Sequence, residues 1–394
     1  MSTSRQQPHG SCRFGLSPML PRDPREAHRS ASSLELFFDL VFVVAVSFAS
    51  QRLHNLESTG HIGNSLMMYA MVFFAIWWAW MNFSWFATSF ATDDWLYRVM
   101  TIVQMVGALV LAAGVPEGMD EGNLTIVTLG YVLMRLAMVG QWLRASASSQ
   151  EFRETAIRYV IGVVAVQIAW LLRLALPANL AIVSFAILAA AEIAVPLLAE
   201  SHRTTPWNPG HITDRYGAFT LIVLGESILA AANVLVDTLG RGEHIAQLLA
   251  LAACGILMAS GMWWVYFARD QNRQILGNRS TMFFAYGHYL IFAAAGAFSA
   301  GIELFVDALE GSEMAARLAP AALGLPVLIF LAGVWVLMLR HCLGRAGDIW
   351  YALGVGVVAL SCFLSPQMSP IGTTIGVILA VIGTEIRRNG EEKS

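Results

Sequence analysis

Apolar runs long enough to cross a membrane recur along nearly the whole chain, separated by short polar stretches. In order they predict helical spans over 34–53, 65–90, 97–115, 124–143, 157–176, 180–199, 214–236, 244–267, 282–307, 316–340, 348–365 and 369–386. The fold class expected is an all-α integral membrane protein of about twelve transmembrane helices. Residues 1–31 carry Arg5, Arg13, Arg22, Arg25 and Arg29 among Pro, Ser and Gln without hydrophobic periodicity, and predict a disordered Arg-rich tail. Residues 388–394 predict a second, short tail. The first apolar run starts late, contains acids and lacks a small-residue cleavage pattern, so it is expected to stay as an uncleaved anchor.

The basic residues give the expected sidedness. Of 24 Lys and Arg, Arg135 lies inside a span, 19 fall on the side of the N-terminus, and Arg52, Arg173, Arg241 and Arg317 fall on the other. Positive charge collects in cytoplasmic loops. Both termini are therefore expected in the cytoplasm of a bacterium, with the chain in its inner membrane. One span missed or invented would reverse every later loop and erase most of the asymmetry.

Composition agrees: 57% hydrophobic and 13% charged residues remove this chain of 394 from the soluble globular class. A formal net charge of −3 adds little. There is no basic patch with interleaved aromatics, so no nucleic-acid partner is expected. Cys12, Cys254, Cys342 and Cys362 show neither disulfide nor metal spacing, and are expected as free thiols. No phosphate loop, dinucleotide fingerprint, zinc helix or nucleophile elbow occurs, so no cofactor and no enzymatic activity are expected.

Six spans followed by six predict an internal repeat, 32–200 and 201–387. Trp77-Trp78-Ala79-Trp80 aligns with Trp263-Trp264-Val265-Tyr266 at an offset of 186, and Ala113-Gly114-Val115 with Ala300-Gly301-Ile302 at 187. Pro177 and Glu192-Ile193 align with Pro370 and Glu385-Ile386 at 193. An even number of spans per half makes the repeats parallel. The alternative is resemblance by hydrophobic composition alone. Arg29 then corresponds to Arg215, and Asp39 roughly to Glu226.

Charges inside the spans are costly and mark candidate sites. Ser32-Ser33-Leu34-Glu35 reads as a capping box, which accounts for Glu35 structurally. Asp39 lies one turn deeper, about 10 Å from the helix start, where capping no longer serves. Function and structural pairing are both open to it. Glu226 lies about 18 Å into its span, near the midplane, with Gly225 offering close helix approach or a break and Ser227 a hydroxyl. Arg135 lies at comparable depth, so a pair with Glu226 is the first expectation and one with Glu192 the second. Glu192 lies above Pro196, where a distorted helix would admit water. His288 is either a proton relay or a hydrogen-bonded structural group, and Glu303 is expected near the surface and solvated. Trp77, Trp80 and Ser84 face either a pathway or the core, and Ala293, Ala297 and Gly301 read as a small-residue seam.

These motifs resemble those of the bacterial low temperature requirement protein A family. The resemblance runs from about Ser33 to about Arg387 and rests on four stretches: Leu34-Glu35-Leu36-Phe37-Phe38-Asp39, Thr92-Asp93-Asp94, Gly130-Tyr131 through Arg135, and His211-Ile212-Thr213-Asp214-Arg215-Tyr216-Gly217 through Gly225-Glu226-Ser227. Asp214 stands where the family more often has Glu, and no acid follows Trp263-Trp264 as it usually does. The resemblance implies a multipass membrane protein associated with growth in the cold. A looser similarity, to potassium channels of two six-helix repeats, fails at Phe38-Asp39 for want of a serine and is analogy only.

The leading expectation is transport of protons, monovalent cations or a small solute through a pathway between the halves, near Asp39, Glu226 and Arg135. The alternatives are a non-transporting scaffold or membrane-homeostasis protein and, less favoured, an intramembrane enzyme acting on lipid. The expected partner throughout is the lipid bilayer.

Overall fold

The computed structural model describes residues 15–26, 29–60, 62–241, 244–269 and 278–386. The expected tail at 388–394, the stretch 1–14 and Cys12 lie outside the described residues. Those described form twelve α-helices and no strand. They are α1 (Ser33–Ser58), α2 (Ile62–Phe90), α3 (Trp95–Glu121), α4 (Thr125–Ser148), α5 (Arg153–Arg173), α6 (Ala181–Ala199), α7 (Pro209–Arg241), α8 (Ile245–Phe267), α9 (Asn278–Leu309), α10 (Glu313–Val334), α11 (Arg345–Ser361) and α12 (Ser369–Glu385). Ten of them, α1 to α10, are long and apolar enough to cross a membrane, α10 being extended by the π turn Trp335–Leu339. At 17 residues each, α11 and α12 reach only about 25 Å, short of a roughly 30 Å hydrocarbon core.

Local chemistry sets the helix ends. Ser32 and Glu35 cap α1 reciprocally, and the Asp94 carboxylate caps α3 on the Tyr97 amide. Gly122 ends α3 in the left-handed region at φ 74°, open to glycine at no steric cost. Along α1, Leu36, Phe37 and Leu40 point outward, whereas Phe38, Phe42 and Val46 are buried. Because lipid is as apolar as the core, tight packing and small residues hold the helices together. A Cβ on Gly130 would lie 2.3 Å from the Leu111 amide nitrogen, so α3 and α4 are in backbone contact there. Of the expected seam on α9, Gly301 is the residue in backbone contact with α10, its would-be Cβ lying 2.5 Å from the Ala322 carbonyl oxygen.

The described part of the N-terminal segment is not a free tail. Met19 is fully buried, the Arg22 amide bonds the Ser89 carbonyl, and Arg29 donates to the carbonyls of Ala87 and Thr88 at the end of α2. A guanidinium there suits the carbonyl end of a helix, joining the Ala91 amide on the Ala87 carbonyl and bonding that of Thr88. Burial lowers the pKa of Arg29 to about 10. Arg144 of α4 clasps Asp94 and the Ser17 carbonyl beside it. We call this the near face. Arg52 with Asp120 (3.1 Å) and His54 with Asp307 (2.8 Å) mark the far face.

Candidate functional site

α1, α7 and α9 pack against one another, and their seam collects most of the expected polar residues. From the near face, Glu35 accepts from Ser32 and lies 3.0 Å from His211 Nε2 and 3.4 Å from Arg215 Nη1. One turn deeper Arg215 grips Asp39 bidentately, with Nε on Oδ2 at 3.0 Å and Nη2 on Oδ1, while Trp80 Nε1 donates to Asp39 at 2.6 Å. Arg215 and Asp39 are 0% exposed, so this pair has no water in which to relax. A cleft of about 680 Å³ lined by Arg22, Arg29, Glu35 and Arg98 opens on the near face above it.

An aromatic layer follows. Trp80 stacks on Phe219 (4.3 Å between centroids) and meets Phe292 edge-on at 5.6 Å. The Ser84 hydroxyl bonds the Trp80 carbonyl of its own helix. Trp80 and Ser84 therefore belong to the core.

Beyond the layer, Ser47 donates to Glu226 at 2.8 Å and accepts from Gln51. Toward the far face His54 holds Glu303 at 3.4 Å through Nδ1 and Asp307 at 2.8 Å through Nε2. Glu303 is thus paired and half-buried where a solvated group was expected. Glu226 has no ion pair among the described residues.

The expected Arg135–Glu226 pair does not form. Arg135 Nη2 lies 3.0 Å from Glu192, which also accepts from Trp78 Nε1 (3.0 Å) and Gln167 (2.8 Å). Glu192 is 0% exposed, so Pro196 admits no water to it. α4 packs chiefly against α3, α5 and α2, and Arg135 is turned toward α6. Gly225 also differs from expectation: nothing lies within 4 Å of its would-be Cβ, and α7 runs on unbroken. Ser227 bonds the Ala295 carbonyl across to α9. His288 is held by the Phe284 carbonyl and the Tyr266 hydroxyl.

His211, Gln167 and His54 were not singled out for a site. His211 carried a signal, since it precedes Arg215 by four residues and so shares its helix face. Gln167 and His54 carried none, being single polar residues near span ends or within apolar runs. Among the described residues no group of three or more His, Cys, Asp and Glu is arranged to hold a metal ion.

The sequence description of the bacterial low temperature requirement A protein (LtrA) matches residues 30–384, which include every residue of the seam just described. The chain belongs to the LtrA family. A similar relative, an uncharacterised protein of Rhizobium meliloti (strain 1021), is 26% identical over 382 residues, covering 89% of this chain and 88% of its own length. No solved structure matches. Family and helices together make this an LtrA-family, all-helical, multipass membrane protein. Two tryptophan–carboxylate hydrogen bonds occur in this LtrA chain: Trp78 on α2 donates to Glu192 on α6 (3.0 Å), and Trp264 on α8 to Glu385 on α12 (2.8 Å).

Proposed function

We propose that this LtrA-family protein moves protons, or a monovalent cation or small solute coupled to them, along the seam of α1, α7 and α9. One observation carries the reading. Polar groups reach inward from both faces along α1, Glu35 and Asp39 from the near side and His54 and Ser47, the hydroxyl that holds Glu226 of α7, from the far side, and stop at an aromatic layer. Asp39 and Ser47 are eight residues apart, about 12 Å along the axis. A layer this thin is what a gate between two half-paths requires. Glu226, which has no cationic partner among the described residues, is the acid this reading assigns to proton exchange. On the near side Arg215 faces two carboxylates, so a proton on His211 would balance the cluster.

The reading is of transport without bond-making chemistry, in the inner membrane of a bacterium. The arginine excess on the near face supports a cytoplasmic position for it and for both termini. The paired Trp–Glu hydrogen bonds support two parallel six-helix repeats and twelve crossings, with α11 and α12 thinning the bilayer locally.

A second reading, a non-transporting scaffold, draws on the dryness of the Asp39–Arg215 and Arg135–Glu192 pairs. The two separate in proteoliposomes carrying a pH-sensitive dye under an imposed proton gradient or membrane potential. Transport predicts a wild-type flux that Glu226→Gln abolishes without lowering thermal stability. No flux from wild type, with Glu226→Gln only less stable, would sink transport and leave the scaffold.

A further inference from the structure

A cavity of about 190 Å³ lies near the near face, apart from the α1–α7–α9 seam, between α2, α4, α5, α6, α9 and the 200–208 loop. A single water needs about 10–15 Å³ on the same measure, so the space suits a small organic group. Its wall is unusually aromatic, with Trp85, Trp142, Tyr159, Trp207 and Tyr286. Trp85 and Trp207 meet at 55° with centroids 5.6 Å apart, making a corner. Trp142 and Tyr159 stack at 4.0 Å, and Tyr286 stacks on Trp78 at 5.8 Å, so those walls are held by neighbouring rings. Glu200 is the acid in this lining.

Glu200 accepts from the Tyr159 hydroxyl (3.0 Å) and from Thr205 Oγ1 (2.6 Å), and no ion pair reaches it among the described residues. It stands at the C-cap of α6, where the carbonyl end of the helix adds negative potential to the carboxylate instead of offsetting it. Nearby Arg158 and Arg203 are turned to Glu154 and Glu151. The cavity therefore concentrates negative potential behind ring surfaces, and no Lys or Arg is among the described residues that line it.

We propose that this cavity binds a methylated organic ammonium group. Ring faces attract a cation through their quadrupole and match methyl groups sterically, while Glu200 neutralises the charge. A bare metal ion is excluded by the same wall, since rings cannot replace the oxygen ligands of its hydration shell. Leu197 and Met282, both well exposed, sit at the rim, so the ammonium has two routes in, from solution or as a lipid headgroup.

The test uses the full chain in phosphatidylglycerol nanodiscs and calorimetric titration with choline and its neutral isostere 3,3-dimethylbutanol. Choline is expected to bind at least about tenfold more tightly than the isostere. Glu200→Gln and Trp207→Leu should each weaken choline about tenfold, with Trp207→Phe restoring most of the affinity and thermal stability reporting the fold. A second arm places the protein in phosphatidylcholine nanodiscs. Weaker apparent choline binding there identifies the lipid headgroup as the source, and unchanged binding identifies the free ammonium. Equal affinity for choline and isostere, or no binding of choline together with no effect of phosphatidylcholine on stability, overturns the proposal. Neither result touches the proton-flux experiment, which rests on other residues.

Discussion

Arg215 on α7 holds Asp39 on α1 through two parallel hydrogen bonds, with both side chains fully removed from solvent. Removing one partner strands the other. Asp39→Ala should therefore cost about 3–5 kcal/mol of stability, far more than any surface charge removal. Denaturant unfolding in micelles checks this. A loss under about 1 kcal/mol would mean that the pair is solvated and weak.

Arg135 and Glu192 form the other buried pair, and a double-mutant cycle reads it directly. Arg135→Leu and Glu192→Gln should couple by about 0.5–3 kcal/mol, whereas Arg135→Leu and Glu226→Gln should add within about 0.5 kcal/mol. Coupling of Arg135 to Glu226 would restore the pairing that depth alone suggested.

Asp94 links pH to stability on the near face. Burial by itself would raise its pKa, but hydrogen bonds from Arg144 and from the Tyr97 and Ser17 amides hold it below the usual carboxylate range. A lowered folded-state pKa means that its contribution is complete above the unfolded value of about 3.9 and is lost as pH falls through the folded value. Wild type should lose stability below about pH 4 more steeply than Asp94→Asn, by thermal denaturation across pH 2.5–6. Parallel slopes would dismiss the clasp.

Two glycines should respond oppositely to alanine. Gly130→Ala drives a methyl into the Leu111 backbone and should cost about 1–3 kcal/mol. Gly225→Ala meets open space and should be neutral or stabilising by up to about 1 kcal/mol, the helix-propensity gain. Thermal melts of both variants suffice.

Much of the fold was legible because membrane helices are locally determined. In hydrocarbon every backbone group must bond within its own segment, so an apolar run of span length is a helix whatever surrounds it. α1 was expected at 34–53 and runs Ser33–Ser58, its start marked by the capping box read at Ser32 and Glu35. The site was only half legible. Asp39, Glu35 and Glu226 stood out as acids in apolar surroundings and Arg215 only as the counterpart of Arg29, and nothing in the sequence said that Arg215 holds Asp39. Glu35 proved to be both a cap and a partner of His211 and Arg215, roles that one carboxylate fills through different oxygens.

By itself, then, the sequence determined the apolar helices to within about six residues at their ends, the charges that fall among them and the LtrA family. Tertiary structure decided which charges meet. Depth is one coordinate, fixed by counting 1.5 Å per residue, whereas pairing also needs rotation about each axis and the identity of the neighbouring helix. Arg135, expected at the depth of Glu226, is turned to Glu192 on α6, while Glu226 accepts from Ser47 on α1. Asp39 and Arg215 meet because α1 and α7 pack face to face, and no residue count along the chain contains that contact.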